Sequence, residues 1–128
     1  MLAVFEGCDG VGKTSYIKRV SYILEDMYKR RVKVCSLPGN TPLGKQIRST
    51  LFDPEYGTKK MVRGVNTALF LADFIQTQSE IIKPALDAGY DVLCDRWFYS
   101  EYAYAATKYN DFGNLNQKDV NDIYNYIW

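Results

Sequence analysis

The sequence predicts an α/β fold of three layers, a parallel sheet with helices on both of its faces. Three observations carry this. Short apolar runs at about Leu2 to Glu6, Val32 to Leu37 and Asp91 to Asp95 suit buried parallel strands. Segments with apolar residues at helical spacing stand between them. The resulting order, strand–loop–helix–strand–helix–helix–strand–helix–helix, supplies the crossovers that parallel strands need.

The first strand runs into Gly7-Cys8-Asp9-Gly10-Val11-Gly12-Lys13-Thr14. A helix follows from about Gly12 to Tyr28, with Ile17, Val20, Leu24 and Met27 recurring on one face. Lys29-Arg30-Arg31 reads as its solvated end, where cations are favourable. The second strand stops at Pro38-Gly39-Asn40. Thr41-Pro42 reads as an N-cap with proline at the first helical position, opening a short helix to about Leu51. Phe52 to Thr58, with Asp53-Pro54 and Gly57, reads as a loop.

A long helix spans roughly Val65 to Ala88 and carries Leu69, Phe70, Ala72, Ile75, Ile82 and Leu86. Pro84 should kink it or start a new last turn, and Gly89 suits the position just past its end. After the third strand, a helix begins near Ser100 with Tyr102, Ala103 and Ala106. Asp111 to Asn114 is a turn. Asn116 caps a last helix with Asp119 in its first turn and Val120, Ile123, Tyr124 and Ile127 as its apolar stripe.

The 128 residues suffice for one domain, 1–128, around one core. The net charge of +1 offers no electrostatic case for a nucleic-acid or membrane partner. No apolar stretch approaches a membrane span, and the first apolar run is too short for a signal peptide. Cys8, Cys35 and Cys94 read as small buried residues in a reducing compartment, so the expectation is a cytoplasmic chain. The absence of histidine excludes histidine bases and histidine metal ligands.

The chemistry starts at Gly7-x-x-x-x-Gly12-Lys13-Thr14, a phosphate-binding pattern. Its glycines let the backbone curl so that N–H groups form an anion nest, and the following helix adds its positive end. Lys13 carries a charge to the β- and γ-phosphates of a nucleotide, and the Thr14 hydroxyl can ligate Mg²⁺. The rival reading is a chance glycine-rich turn; the strand before and the helix after argue against it.

Ligands of such sheets bind at the C-terminal edges of the strands. The phosphate loop, Leu37-Pro38-Gly39 and Asp95-Arg96 all fall there. Asp95 can hold Mg²⁺ directly or through water, and Arg96 can clamp a phosphate bidentately. Alone, Asp95-Arg96 would read as a surface ion pair; the convergence of three segments favours a site.

On these residues the chain resembles the thymidylate kinase family. Phe5-Glu6-Gly7-x-Asp9-Gly10-x-Gly12-Lys13-Thr14 is similar to the family's opening loop. Pro38-Gly39-Asn40-Thr41-Pro42-Leu43-Gly44-x-Gln46-Ile47-Arg48 is similar to its second signature. Leu69-Phe70-x-Ala72-Asp73 with Ile82-Lys83-Pro84-Ala85-Leu86 resembles its third helix. Asp95-Arg96-Trp97 with Ser100-x-x-Ala103-Tyr104 resembles its third-strand signature. The loop is common to many nucleotide-binding proteins; the second and fourth segments are more specific.

The resemblance implies a P-loop NTPase fold and transfer of the ATP γ-phosphoryl group to deoxythymidine monophosphate, with Mg²⁺. It implies Lys13, Asp9 and Arg96 as catalytic residues. It also implies that Gly7, Cys8, Asp9, Gly10, Val11, Gly12, Lys13, Thr14 and Ser15 hold ATP, with Thr14 and Asp95 managing the metal. Asp9 would face the acceptor sugar and phosphate, Arg96 the acceptor phosphate, Phe70 the base and Tyr104 the deoxyribose. Pro38, Arg48, Phe74, Ser100 and Glu101 fall at the remaining acceptor-side positions. A homodimer through the second and third helices is implied as well.

Several positions depart from the family. Ser36-Leu37 replaces a charged pair before Pro38, Phe74 replaces an arginine that bonds the thymine edge, and Glu101 and Ala105 replace small or polar residues. All touch the acceptor side. The family also continues into two more parallel strands and an arginine-bearing lid, which this chain is expected to lack. The first strand would then be a sheet edge. The residues leave three readings open: a thymidylate-kinase-like enzyme, a nucleotide-binding module without turnover, and a kinase for another deoxynucleotide or nucleoside.

Overall fold

The computed structural model describes residues 1–61, 64–100 and 103. Strands β1 (Leu2–Phe5), β2 (Val32–Ser36) and β3 (Asp91–Asp95) form a parallel sheet in the order β1-β3-β2. The register pairs Leu2 with Val92 and Val4 with Cys94 on one side, and Cys35 with Cys94 on the other. β3 is central, so Val92, Leu93 and Cys94 are fully buried, while β1 is an edge and only half-buried, as expected.

Alternation along the strands gives the sheet two apolar faces. Leu2, Val4, Cys35, Val92 and Cys94 share one face, covered by Phe74, Ile82, Ala85, Leu86 and Trp97. Each large side chain buried there stabilises the fold by roughly 1.5–3 kcal/mol. Phe5 and Leu93 point to the opposite face, where α1 (Lys13–Asp26) packs through buried Ile17 and through Tyr16, its ring 6.3 Å from Phe5.

Helix α2 (Pro42–Leu51) begins as its sequence dictates. The Thr41 hydroxyl accepts the Gly44 N–H at 2.9 Å, and Pro42 occupies the first turn. Where a loop is expected over 52–58, a short helix α3 (Gly57–Lys60) begins. The Asp53 carboxylate leads into it by accepting the N–H groups of Glu55 and Tyr56 at 2.9 and 2.7 Å, an Asx turn. The long helix divides into α4 (Val65–Thr77), a π-helical turn (Gln78–Ile82) and α5 (Lys83–Asp87). Pro84 lies in the first turn of α5. It lacks an N–H and its ring crowds the carbonyl four residues back, so the wider turn before it relieves a conflict that regular helix could not.

The basic cluster after α1 is not a solvated helix end. Arg30 pairs with Asp91, as does the Met1 amino group at 3.0 Å, and Asp91 is fully buried. The Arg30 bond holds the Asp91 carboxyl below the usual carboxylate range. Arg31 donates to the Ala88 carbonyl and lies 4.5 Å over the Tyr90 ring. These residues fasten the entry to β2 onto the entry to β3.

All three cysteines are free, with Cys35 and Cys94 buried and Cys8 exposed. Among the described residues no helix is long and apolar enough to cross a membrane. Residues 98–100 and 103 are helical. The rest of that helix, the turn at 111–114 and the last helix lie outside the described residues.

Candidate functional site

The three strands end on one cavity of about 570 Å³. Its wall is built from the phosphate loop, the segment Ser36 to Gly39, Arg48, Asp95 and Arg96. The strand ends are tied laterally: the Leu37 N–H donates to the Asp95 carbonyl at 3.1 Å and the Arg96 N–H to the Phe5 carbonyl at 3.0 Å. The spacing of the three segments is thereby set by the sheet.

In the phosphate loop, Gly10 and Gly12 have φ of 82° and 92°, which favour glycine strongly. Gly12 is also the N-cap of α1 and makes no side-chain cap. The first-turn N–H groups of α1 therefore have no capping side chain to satisfy them, the condition for anion binding. Lys13 arches back over the loop and donates to the Gly7 and Cys8 carbonyls at 2.9 and 2.7 Å. Its ammonium thus stands above the nest.

Thr14 Oγ1 donates to Asp95 Oδ2 at 3.0 Å. Asp95 Oδ1 is buried and has no hydrogen-bond partner in the described structure. A hydroxyl and an unsatisfied carboxylate oxygen side by side fit a hard divalent cation. The described residues hold no cluster of three acidic, cysteine or histidine side chains, so such an ion would take its other ligands from phosphate and water.

Arg96 leaves β3 with φ 71°, a left-handed conformation that a side-chain-bearing residue holds only under constraint. Its Nη2 pairs with Asp9 Oδ1 at 2.5 Å and its Nη1 donates to Ser100 Oγ at 3.0 Å. Glu6, which the sequence did not single out, accepts the Trp97 N–H at 2.9 Å and the Ser100 hydroxyl. A carboxylate closing an otherwise apolar strand was the available signal.

At the end of β2, Arg48 donates to the Pro38 carbonyl at 3.1 Å and stands 5.0 Å over the Phe52 ring. The Gly39 N–H donates to Asp73 Oδ2 at 3.2 Å. Asp73 is fully buried on α4, and burial raises its carboxyl pKa; the Gly39 bond and the nearby Arg48 charge pull it back down.

The structure therefore brings together the phosphate loop, Pro38, Arg48, Asp95 and Arg96, with Ser100 beside Arg96. Phe74 is corrected. It is a core residue, 4% exposed, packed edge-on against Trp97 at 4.6 Å, and it does not line the cavity. Phe70 is half-buried on α4 and is not among the lining residues. Glu101 and Tyr104 lie outside the described residues. Ser36 and Leu37, the departures from the charged pair, do line the cavity.

The sequence profile of the thymidylate kinase family matches residues 5–122. A thymidylate kinase from Enterococcus faecalis is 41% identical over 100 residues, which are 78% of this chain and 46% of that protein. One from Campylobacter hominis is 33% identical over 125 residues, covering 98% of this chain and 56% of that protein. A crystal structure of thymidylate kinase from Ehrlichia chaffeensis superposes on the whole chain with a TM-score of 0.83 at 26% identity, and 68% of that protein is covered. The chain spans about half the length of the curated relatives it matches.

Proposed function

The chain belongs to the thymidylate kinase family, and from that premise we propose that it transfers the ATP γ-phosphoryl group to deoxythymidine monophosphate, giving the diphosphate. The observation that carries this reading is the meeting of three polar groupings on one cavity: Lys13 over its loop, the Thr14–Asp95 pair and the Asp9–Arg96 pair.

Phosphoryl transfer asks the protein mainly for position and charge, because little covalent chemistry falls to it. In this reading the loop N–H groups and Lys13 bind the donor phosphates. Arg96 binds the acceptor phosphate with the two-pronged geometry of its guanidinium. Asp9 steadies that guanidinium and faces the acceptor sugar. Thr14 and Asp95 would hold Mg²⁺, which when bound neutralises charge on the donor phosphates. Pro38 and Arg48 close the acceptor side, and Phe70 and Tyr104 are assigned to base and sugar by resemblance alone.

A second reading, a different deoxynucleotide or nucleoside acceptor, is favoured by one observation. Ser36 and Leu37 stand in the cavity wall where the family carries a charged pair. A site that loses a bonding partner discriminates differently.

The test is phosphoryl transfer from Mg-ATP to a panel of deoxynucleoside monophosphates and nucleosides, with Lys13→Ala as control. Lys13-dependent turnover of deoxythymidine monophosphate establishes the first reading, and turnover of another acceptor the second. No turnover with any acceptor would leave nucleotide binding alone. The same reading includes a cytoplasmic setting and a homodimer through α2 and α4, which expose Leu43, Val65 and Ile75. Sedimentation at micromolar concentration showing only monomer would count against the dimer.

A further inference from the structure

Glu6 has no part in the chemistry above, yet it grips the segment that carries Arg96 at two points. Its Oε1 accepts the Trp97 N–H at 2.9 Å, the peptide group just after Arg96. Its Oε2 accepts the hydroxyl of Ser100, whose oxygen accepts Arg96 Nη1 at 3.0 Å. Arg96 Nη2 in turn pairs with Asp9. The polarity of this chain is fixed. A carboxylate only accepts and a guanidinium only donates, so the serine must donate to Glu6 and accept from Arg96.

Arg96 has need of such a hold. Its left-handed backbone persists only where the surroundings impose it. Its side chain must also aim a planar fork, since bidentate phosphate binding depends on direction as well as charge. Glu6 acts on both, on the backbone through Trp97 and on the fork through Ser100. Bonds of this charge-assisted kind are stronger than neutral ones.

We infer that Glu6 is a positioning residue that sets the direction in which Arg96 presents its guanidinium to an acceptor phosphate. This rests on the reading of Arg96 as the acceptor-phosphate contact. Removing the Glu6 charge leaves both the Arg96 charge and the donor loop in place. Acceptor binding should therefore weaken while donor binding stays. Glutamine reverses the polarity at one end, because its amide would donate to a serine oxygen that already accepts from Arg96.

The experiment uses the full chain with Glu6→Gln, Arg96→Ala and the double variant. Calorimetry measures binding of deoxythymidine monophosphate and, separately, of Mg-ATP. The expected result for Glu6→Gln is about tenfold weaker acceptor binding with donor affinity held, the size a lost charge-assisted bond implies. In the Arg96→Ala background the same substitution should add nothing. An equal loss for both ligands, or the full loss persisting without Arg96, overturns the inference. If the unsubstituted chain binds no deoxythymidine monophosphate, the substrate reading fails and a second measurement decides the positioning role. That measurement is the solvent exchange of the Arg96 Nε–H in nitrogen-15 spectra, assigned by its disappearance in Arg96→Ala. Faster exchange in Glu6→Gln supports the hold, and unchanged exchange overturns it.

Discussion

Thr14 Oγ1 reaches Asp95 Oδ2 across 3.0 Å, so the first turn of α1 and the last residue of β3 share one polar contact. The other Asp95 oxygen is buried and unbonded in the described structure. Leaving such an oxygen unsatisfied costs about 1–3 kcal/mol, more when it is charged. In the proposed reading a bound cation would satisfy that oxygen.

Asp95→Asn should therefore separate metal use from folding. The proposed activity should need about ten- to a hundredfold more Mg²⁺ for half-saturation. The metal-free chain should melt no lower than the parent, because a buried charge has been removed. A Mg²⁺ titration of turnover and a melting curve without metal check the two halves. An unchanged Mg²⁺ midpoint would overturn the assignment of Asp95 to a metal site.

At Gly44, α2 lies tightly against Asp73 of α4. A Cβ built there would lie 2.0 Å from Asp73 Oδ1 and 3.1 Å from Thr41 Oγ1. Gly44→Ala must push the helices apart, strain the Thr41 cap and draw Asp73 off the Gly39 N–H. Overpacking of this kind costs roughly 1–3 kcal/mol. Chemical denaturation should show that loss with an unchanged dependence on denaturant. A variant as stable as its parent would mean that the helices have room to spare.

These contacts show what the sequence could and could not disclose. The phosphate loop, the Thr41-Pro42 start of α2 and the three strand ends were legible, because each depends on neighbours within a few positions. The Glu6–Ser100 and Asp91–Arg30 bonds join residues 94 and 61 positions apart, and no periodicity reports them. The basic cluster looked solvated for that reason. The resemblance to the family puts Phe74 on the acceptor side, at a position where the family carries arginine. Its own chemistry, a large apolar ring on the same helix as Leu69 and Phe70, pointed to the core that it occupies.

That relocation can be measured. Phe74→Ala should cost roughly 3–5 kcal/mol of stability through the transfer and cavity terms, and Phe74→Leu should cost less because it leaves a smaller cavity. Nucleotide affinity in Phe74→Leu should follow the parent, since Trp97 and not the cavity faces the ring. A marked change in acceptor affinity with little loss of stability would return Phe74 to the binding site.

Asp73 and Asp91 should divide the pH dependence of stability between them. Burial raises the Asp73 carboxyl, so the folded chain binds this proton more tightly than the unfolded chain. Its contribution is fullest below the unfolded value of about 3.9 and declines as pH rises through the folded value. Asp91 has the opposite sign. Arg30 first, and the Met1 amino group after it, hold its carboxyl down, so its contribution is present above about 3.9 and is lost as pH falls through the folded value. Asp73→Asn keeps an oxygen for the Gly39 N–H but cannot ionise. Melting temperature should therefore lose its decline above about pH 4 in this variant and keep its acid-side loss. In Asp91→Asn the acid-side loss should shrink, while the whole curve drops because Arg30 has lost its charged partner. If Asp73→Asn leaves the decline above about pH 4 as steep as in the parent, another group carries it, and the buried carboxyl on α4 is not the one that titrates.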